Sequence, residues 1–238
     1  MKRSVANLIK ECDSRMNGYA MLLNYKYMNL CVKAEAASLL SVTVEYDGEY
    51  MDIEQVADVT IAPDDFHFQA YPKEPGLILV IAKAIKKAHP EFGVDIKNME
   101  EAGNTEQADD ADRYILITMP EVNDDRHDLL VNAVKTLYDE CKVKLDLNFQ
   151  DYSVKLVTFM AGSDAKEVDE AKDILGQVND SYADMIKGFR EEKEKEIEDA
   201  YQKYLVERNQ REQQEQEQAA AHGVDKGRSL KLPEEKDE

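Results

Sequence analysis

Residues 120–159 read PEVNDDRHDLLVNAVKTLYDECKVKLDLNFQDYSVKLVTF, and this stretch decides the fold. No glycine interrupts it, and its only proline is the first residue. One set of apolar residues recurs mostly at steps of three and four, the spacing of a single helix face. At about 1.5 Å per residue the predicted helix is about 60 Å long and needs partner helices to cover that face. The set consists of Leu130, Val134, Leu137, Cys141, Leu145, Tyr152, Leu156 and Phe159.

The composition indicates a globular protein with an unusually acidic surface. The chain has 238 residues, of which 43% are hydrophobic and 34% charged, and its formal net charge is −20. This charge argues against a general attraction to DNA or to anionic membranes, although an acidic excess can also serve solubility alone. No apolar run approaches the roughly 18 residues that span a membrane, and the N-terminus does not resemble a signal peptide. We therefore expect a cytoplasmic protein with neither DNA nor a membrane as partner.

Nothing in the sequence indicates catalysis. The three cysteines, Cys12, Cys31 and Cys141, are far apart and lack metal-ligand spacing, so we expect buried thiols in a reducing compartment. The four histidines show no spacing for a metal site or a catalytic triad. No glycine-rich phosphate loop is present either. We expect no catalytic residue, no metal and no cofactor.

Two further long helices flank the 120–159 segment. Residues 4–30 keep helical apolar spacing, and so do residues 164–205, where the predicted inner face includes Ile174 and Leu175. Between the first two helices the spacing changes to that of short strands, with a turn signal at Asp47-Gly48. We predict strands over 42–46, 56–61, 66–70 and 113–119, a helix over 77–88 and an acidic loop over 100–112.

These elements predict an α+β fold in which a long three-helix bundle carries a small inserted β/α domain. Residues 1–30 and 120–205 would form the bundle, and residues 31–119 the inserted domain. The apolar spacing fades after residue 205, so residues 206–238 are expected to be a frayed helix and a disordered acidic tail. Because the chain passes between the two domains twice, we predict a hinge formed by Leu30, Cys31, Met119 and Pro120.

The order of several motifs resembles the ribosome recycling factor family. Val44-Glu45-Tyr46-Asp47-Gly48 is similar to the family's V-E-Y-Y-G, and Ile81-Ala82-Lys83-Ala84-Ile85 to its I-x-K-A-I helix. The segment 123–130 resembles T-E-E-R-R-K-[DE]-L, and Lys193-Glu194-Lys195-Glu196-Ile197 resembles K-E-x-E-[IL]. The similarity runs in unbroken order from residue 4 to about residue 200.

This resemblance implies a protein with the outline of a transfer RNA and no catalytic residues of its own. Together with elongation factor G, such a protein would bind large ribosomal subunit RNA and promote the disassembly of post-termination ribosomes. The family uses arginines on the central helix and near the first hinge crossing for this contact. The candidate RNA-binding residues in this sequence are Lys33, Arg126, His127, Lys142 and Lys144.

The sequence departs from the family at the arginines themselves. Asp146, Phe149 and Gln150 stand where the family has arginine, and His127 replaces a further one. Residues 121–159 carry eight acidic and five basic side chains. Each lost phosphate contact removes affinity for RNA, and lysines do not reproduce the planar fork of arginine. The alternative is therefore a degenerate paralogue that keeps the fold and acts as a module for binding another protein.

Overall fold

Three long helices form the body of the molecule. The computed structural model describes residues 3–64, 66–98 and 113–225. The helices are α1 (Arg3–Met28), α4 (Asp124–Phe159) and α5 (Ala165–Asp225). The side chain of Asn123 accepts a hydrogen bond from the backbone N–H of Arg126 at 2.9 Å and so caps the start of α4. From there α4 runs for about 54 Å, close to the length expected from the sequence.

The bundle core follows the helical spacing of the sequence, and polar bonds join the helices. Tyr27 on α1 donates its hydroxyl to the carbonyl of Val134 on α4 at 3.0 Å. Tyr182 on α5 donates to a carboxylate oxygen of Asp13 on α1 at 2.9 Å. The buried apolar residues of α4 are Leu130, Val134, Cys141, Leu145, Tyr152 and Leu156.

Two residues predicted to face the bundle core do not do so. Phe159 is 51% exposed, because it is the last residue of α4, where the chain turns away through Gly162 at φ 79°. Ile174 is 38% exposed, while its neighbour Leu175 is buried. Adjacent helical residues point about 100° apart, and the rotation of α5 that buries Leu175 leaves Ile174 at the rim of the core.

The inserted module combines a hairpin with an antiparallel sheet. Strands β1 (Thr43–Tyr46) and β2 (Glu49–Asp52) form the hairpin, and Asp47 and Gly48 at its tip both have positive φ, as a type I′ turn requires. A short helix α2 (Ile53–Val56) leads into a four-stranded sheet of order β3-β4-β6-β5, against which α3 (Ile78–Ala88) lies. The sheet strands are β3 (Ala57–Ile61), β4 (His67–Pro72), β5 (Gly93–Asn98) and β6 (Arg113–Thr118).

Most of these elements agree with the sequence prediction, but β2, α2 and β5 were not predicted. Strands β2 and β5 are largely exposed, and β5 lies at the edge of its sheet. Edge strands carry charged residues on exposed positions, so the alternation that marks a half-buried strand is weak in them. The predicted loop over 100–112 lies outside the described residues. The α+β fold class, a long helical bundle with a small β/α module, is confirmed.

The far end of α5 extends beyond the last apolar positions of the bundle. The sequence predicted fraying after residue 205, but the structure continues the helix to Asp225. The residues of this segment, 206–225, are mostly Glu, Gln, Arg and Ala, which have high helix propensity without an apolar face. We call residues 206–225 the α5 extension. The predicted tail after Asp225 lies outside the described residues.

Candidate nucleic-acid interface

The predicted hinge lies where two separate apolar cores meet. Cys31 and Met119 are 3% and 2% exposed and belong to the core of the inserted module. Val32 and Val122, one and three residues further along the chain, belong to the core of the bundle. Both crossings therefore change from one core to the other within a few residues. This arrangement is compatible with the predicted hinge, which stays a prediction.

Arg126 connects α4 to the first of these crossings. Its Nη2 donates a hydrogen bond to the backbone carbonyl of Cys31 at 2.7 Å, although the two residues are 95 positions apart. Partial burial lowers the pKa of the guanidinium, and the negative charge of Glu91 opposes that shift. Its Nε is buried without a hydrogen-bond partner among the described residues. The side chain predicted to contact RNA is thus engaged within the protein.

His127 is also held by contacts within the chain. Its ring stacks on the ring of Tyr201 with 4.3 Å between centroids. Its Nε2 lies 3.4 Å from a carboxylate oxygen of Glu198, and its Nδ1 lies 3.5 Å from one of Asp128. The side chain is only 21% exposed. His127 therefore joins the start of α4 to α5 rather than standing on an open surface.

Lys33 lies in a groove of mixed charge between the first crossing and α5. Its Nζ is 2.8 Å from a carboxylate oxygen of Glu35, and its side chain is 51% exposed. Across the groove, Lys193 is only 8% exposed as a residue and pairs with Glu196 at 2.8 Å. The groove is lined by Asn24, Tyr27, Met28, Lys33, Glu35, Phe189, Glu192, Lys193, Lys195, Glu196 and Asp199. Three lysines face four acidic residues there, so this groove is not a strongly cationic phosphate site.

Lys142 and Lys144 are exposed, but they lie on different sides of α4. Two residues along a helix differ by about 200° in direction. Lys144 borders a narrow groove between α1 and α4, next to Glu140. Helix geometry places Lys142 on the other flank of α4. Neither lysine forms an ion pair with another of the residues that the structure describes. Both lie more than about 20 Å along the axis from Arg126, so the five candidate residues do not converge on one site.

The positions where the family carries arginine have changed in character. Asp146 and Gln150 are exposed, while Phe149 packs partly against the bundle core. Next to them on α4 stand four large apolar side chains that are more than half exposed. These residues were not predicted as a site, because the helical spacing of α4 had identified only the core-facing set. The four residues, called the apolar stripe below, are Val143, Leu147, Val154 and Val157.

A second set of residues that the sequence analysis missed belongs to the far end of α5. Arg208 pairs with a carboxylate oxygen of Asp124 at 3.1 Å, and Arg211 pairs with one of Glu121, also at 3.1 Å. The Nζ of Lys203 lies 4.5 Å from the ring centroid of Phe66 in the inserted module. Residues 203–211 of α5 thus lie next to the second crossing. Two arginines at i and i+3 on a polar helix were the available signal.

The described residues offer no cluster suited to metal chemistry. Within 3–64, 66–98 and 113–225, no three His, Cys, Asp or Glu residues lie close enough together to hold a metal ion. The three cysteines are buried and unpaired, as expected, and burial raises the pKa of each thiol, that of Cys12 to about 11. Over the same residues, no helix combines the length and the apolar character needed to cross a bilayer.

Comparisons with known proteins agree on one family. The family model described as "Ribosome recycling factor" matches residues 24–197. The chain is 24% identical over 196 residues to the ribosome-recycling factor of Halorhodospira halophila, a match that covers 81% of this chain and 98% of the relative. It is 24% identical over 165 residues to that of Deinococcus radiodurans, covering 69% and 81%.

A solved structure shows the same fold. The solution structure of a ribosome recycling factor superposes with a TM-score of 0.65 at 20% sequence identity and covers 84% of this chain and 100% of its own. The family match runs from the last residues of α1 to about the middle of α5 and includes both crossings between the two cores. The chain belongs to the ribosome recycling factor family.

Proposed function

We propose that this protein binds the large ribosomal subunit and, together with elongation factor G, promotes the disassembly of post-termination ribosomes in the cytoplasm. The observation that carries the proposal is the family match across residues 24–197, which includes the inserted module, all of α4 and about half of α5. The protein would act by binding and by movement rather than by a covalent step. The bundle would hold the ribosome, and the module would swing about the hinge residues Leu30, Cys31, Met119 and Pro120.

The contact with ribosomal RNA would depend on the accessible lysines. Lys142 and Lys144 are exposed on α4, and Lys33 is half-exposed beside the first crossing. Arg126 and His127 would support the contact by fixing the start of α4. For duplex nucleic acid, each neutralised phosphate adds roughly 0.9 to the slope of log affinity against log salt. Lys142 and Lys144 predict a slope of about −2, which becomes about −3 if Lys33 exchanges Glu35 for a phosphate, and a weak complex at physiological salt.

Co-sedimentation with purified large subunits across a salt series tests this proposal, with an established recycling factor as competitor. We expect competitor-sensitive binding that weakens as salt rises. The double variant Lys142→Gln/Lys144→Gln should flatten the slope by about two. The matched control Lys166→Gln/Lys172→Gln removes two exposed lysines of α5 and should leave the slope unchanged. Absence of binding at low salt would rule out the recycling function.

A second candidate function is favoured by the apolar stripe. A degenerate paralogue that binds another protein would tolerate loss of the family arginines, and it would gain from exposed aliphatic side chains in their neighbourhood. Ribosome splitting distinguishes the two functions. Light scattering of post-termination ribosomes with elongation factor G and GTP should fall when this protein is added if it recycles, and should stay constant if it is only an interaction module.

A further inference from the structure

The apolar stripe follows one face of α4. Its members are spaced i, i+4, i+11 and i+14, which places them within about 80° of one another around the helix and along about 21 Å of its length. The exposed fractions are 56% for Val143, 60% for Leu147, 69% for Val154 and 55% for Val157.

The stripe is separate from the bundle core. The α4 residues that pack against α1 and α5, such as Leu145 and Tyr152, lie on the opposite side of the helix. A single exposed aliphatic side chain is ordinary in a protein, but an aligned row resembles the seam by which one helix packs on another. Gln150, which is exposed on the same face, separates the first two residues of the stripe from the last two. Exposed apolar side chains that line up in this way and are rimmed by polar residues are typical of interaction sites.

Acidic residues border the stripe along one edge. Asp139 and Asp146 are exposed, lie seven residues apart and so stand in line beside Val143 and Leu147. Neither forms an ion pair with another of the described side chains. Lys135 and Lys142 stand one helical turn from these aspartates, on the side away from the stripe. The edge next to the stripe therefore carries two carboxylates that form no ion pair among the described residues.

The other edge is acidic too, but its charges are balanced. Glu140 pairs with Lys26 of α1 at 3.4 Å, and Asp151 pairs with Lys155 at 2.7 Å. An acidic border on a chain of net charge −20 repels RNA, anionic lipid and a second copy of this chain. It attracts an apolar surface flanked by lysine or arginine.

We propose that the apolar stripe is the docking surface for an amphipathic helix of another, basic protein. The partner helix would lay its aliphatic face along Val143, Leu147, Val154 and Val157, and its flanking cations would meet Asp139 and Asp146. This mode of recognition uses apolar anchors at helical spacing for affinity and the charged border for specificity. The inference deepens the second candidate function, binding of another protein, and it does not depend on the ribosome-binding proposal, which uses Lys33, Lys142 and Lys144 outside the stripe.

The test uses a defined probe, a fluorescein-labelled 14-residue peptide with a leucine face flanked by lysines, titrated with the full chain. Leu147→Gln/Val154→Gln should weaken binding at least tenfold, since each buried aliphatic side chain contributes roughly tenfold. The control Leu79→Gln/Val206→Gln removes side chains that are 59% and 55% exposed elsewhere, and should change binding less than twofold. Circular dichroism should show unchanged helix content in all variants, because every substituted side chain is exposed.

The charge variants separate docking from general attraction. Asp139→Asn/Asp146→Asn should weaken binding about threefold and reduce its salt dependence, whereas the exposed pair Asp169→Asn/Asp173→Asn should not. Equal weakening by both pairs would show non-specific attraction and overturn the proposal. A dimer that light scattering detects and Leu147→Gln abolishes would also overturn the proposal, because a second copy would then occupy the stripe. Probe binding that appears only after deletion of residues 226–238 would overturn it as well. These outcomes are independent of the co-sedimentation with large subunits, which tests the proposed binding to the ribosome.

Discussion

Replacing Arg126 by lysine distinguishes a structural role for this residue from a role in binding RNA. Lysine keeps the positive charge but lacks the guanidinium Nη2 that reaches the Cys31 carbonyl at 2.7 Å. A hydrogen bond from a charged donor contributes about 1.5–3 kcal/mol. The partial burial of the guanidinium and its unpaired Nε offset part of this gain. We therefore expect Arg126→Lys to lower the free energy of unfolding by about 1–2 kcal/mol.

Urea unfolding at pH 7, followed by circular dichroism, measures this loss. With a slope of about 2 kcal/mol per molar urea, the midpoint should fall by about 0.5–1 M. Amide hydrogen exchange should become faster near residues 31–33. Arg15→Lys is the control, because Arg15 is exposed and its ion pair with Glu11 at 3.4 Å lies at the surface. A lysine also keeps a cation near the ring of Tyr152, whose centroid lies 5.7 Å from the guanidinium carbon, so the midpoint should hardly move. An unchanged midpoint for Arg126→Lys together with a loss of large-subunit binding would refute the structural role.

Three further predictions concern the backbone, the pH dependence and the α5 extension. Gly48→Ala should destabilise the protein by about 1 kcal/mol, because φ at Gly48 is 81°. Gly18→Ala, in the exposed part of α1, should stabilise it by a similar amount. Thermal unfolding shifts of the same sign and size for both variants would contradict this prediction. Burial and a hydrogen bond to a carboxylate raise the pKa of Tyr182 to about 12. The contribution of Tyr182 to the free energy of unfolding should therefore be fully present below about pH 10 and be lost as pH rises towards 12. Tyr182→Phe should reduce the corresponding fall in the urea midpoint. Arg208→Gln/Arg211→Gln should speed amide exchange in residues 206–225 and leave α4 unchanged; unaltered exchange would show that these ion pairs do not hold the helix.

Local spacing was sufficient to predict most of the fold. The core-facing residues of α4 from Leu130 to Leu156 could be found because a helix repeats its direction every 3.6 residues, and that repeat is written in the order of the residues. The same reasoning failed for Phe159, which ends its helix, and for Ile174, which the rotation of α5 leaves at the rim of the core. It also missed β2 and β5, because exposed strands need no apolar alternation.

The candidate site was less accessible to sequence reasoning. The resemblance to a family located the residues of interest, but it could not show which of them are free to bind RNA. Arg126 and His127 match or replace family arginines, yet the structure directs them to Cys31 and Tyr201. Lys142 and Lys144 lie only two positions apart in the sequence, yet they lie on different flanks of one helix.

The sequence by itself determined the long helices, the inserted module and the family, since all three depend on the order and local spacing of residues. The tertiary structure decided which charges are engaged within the protein. Arg126 meets Cys31 across 95 positions, Arg208 meets Asp124 across 84, and Arg211 meets Glu121 across 90. Such pairings arise only when packing brings distant segments together. Whether a side chain is buried or exposed likewise depends on residues that are distant in sequence and close in space.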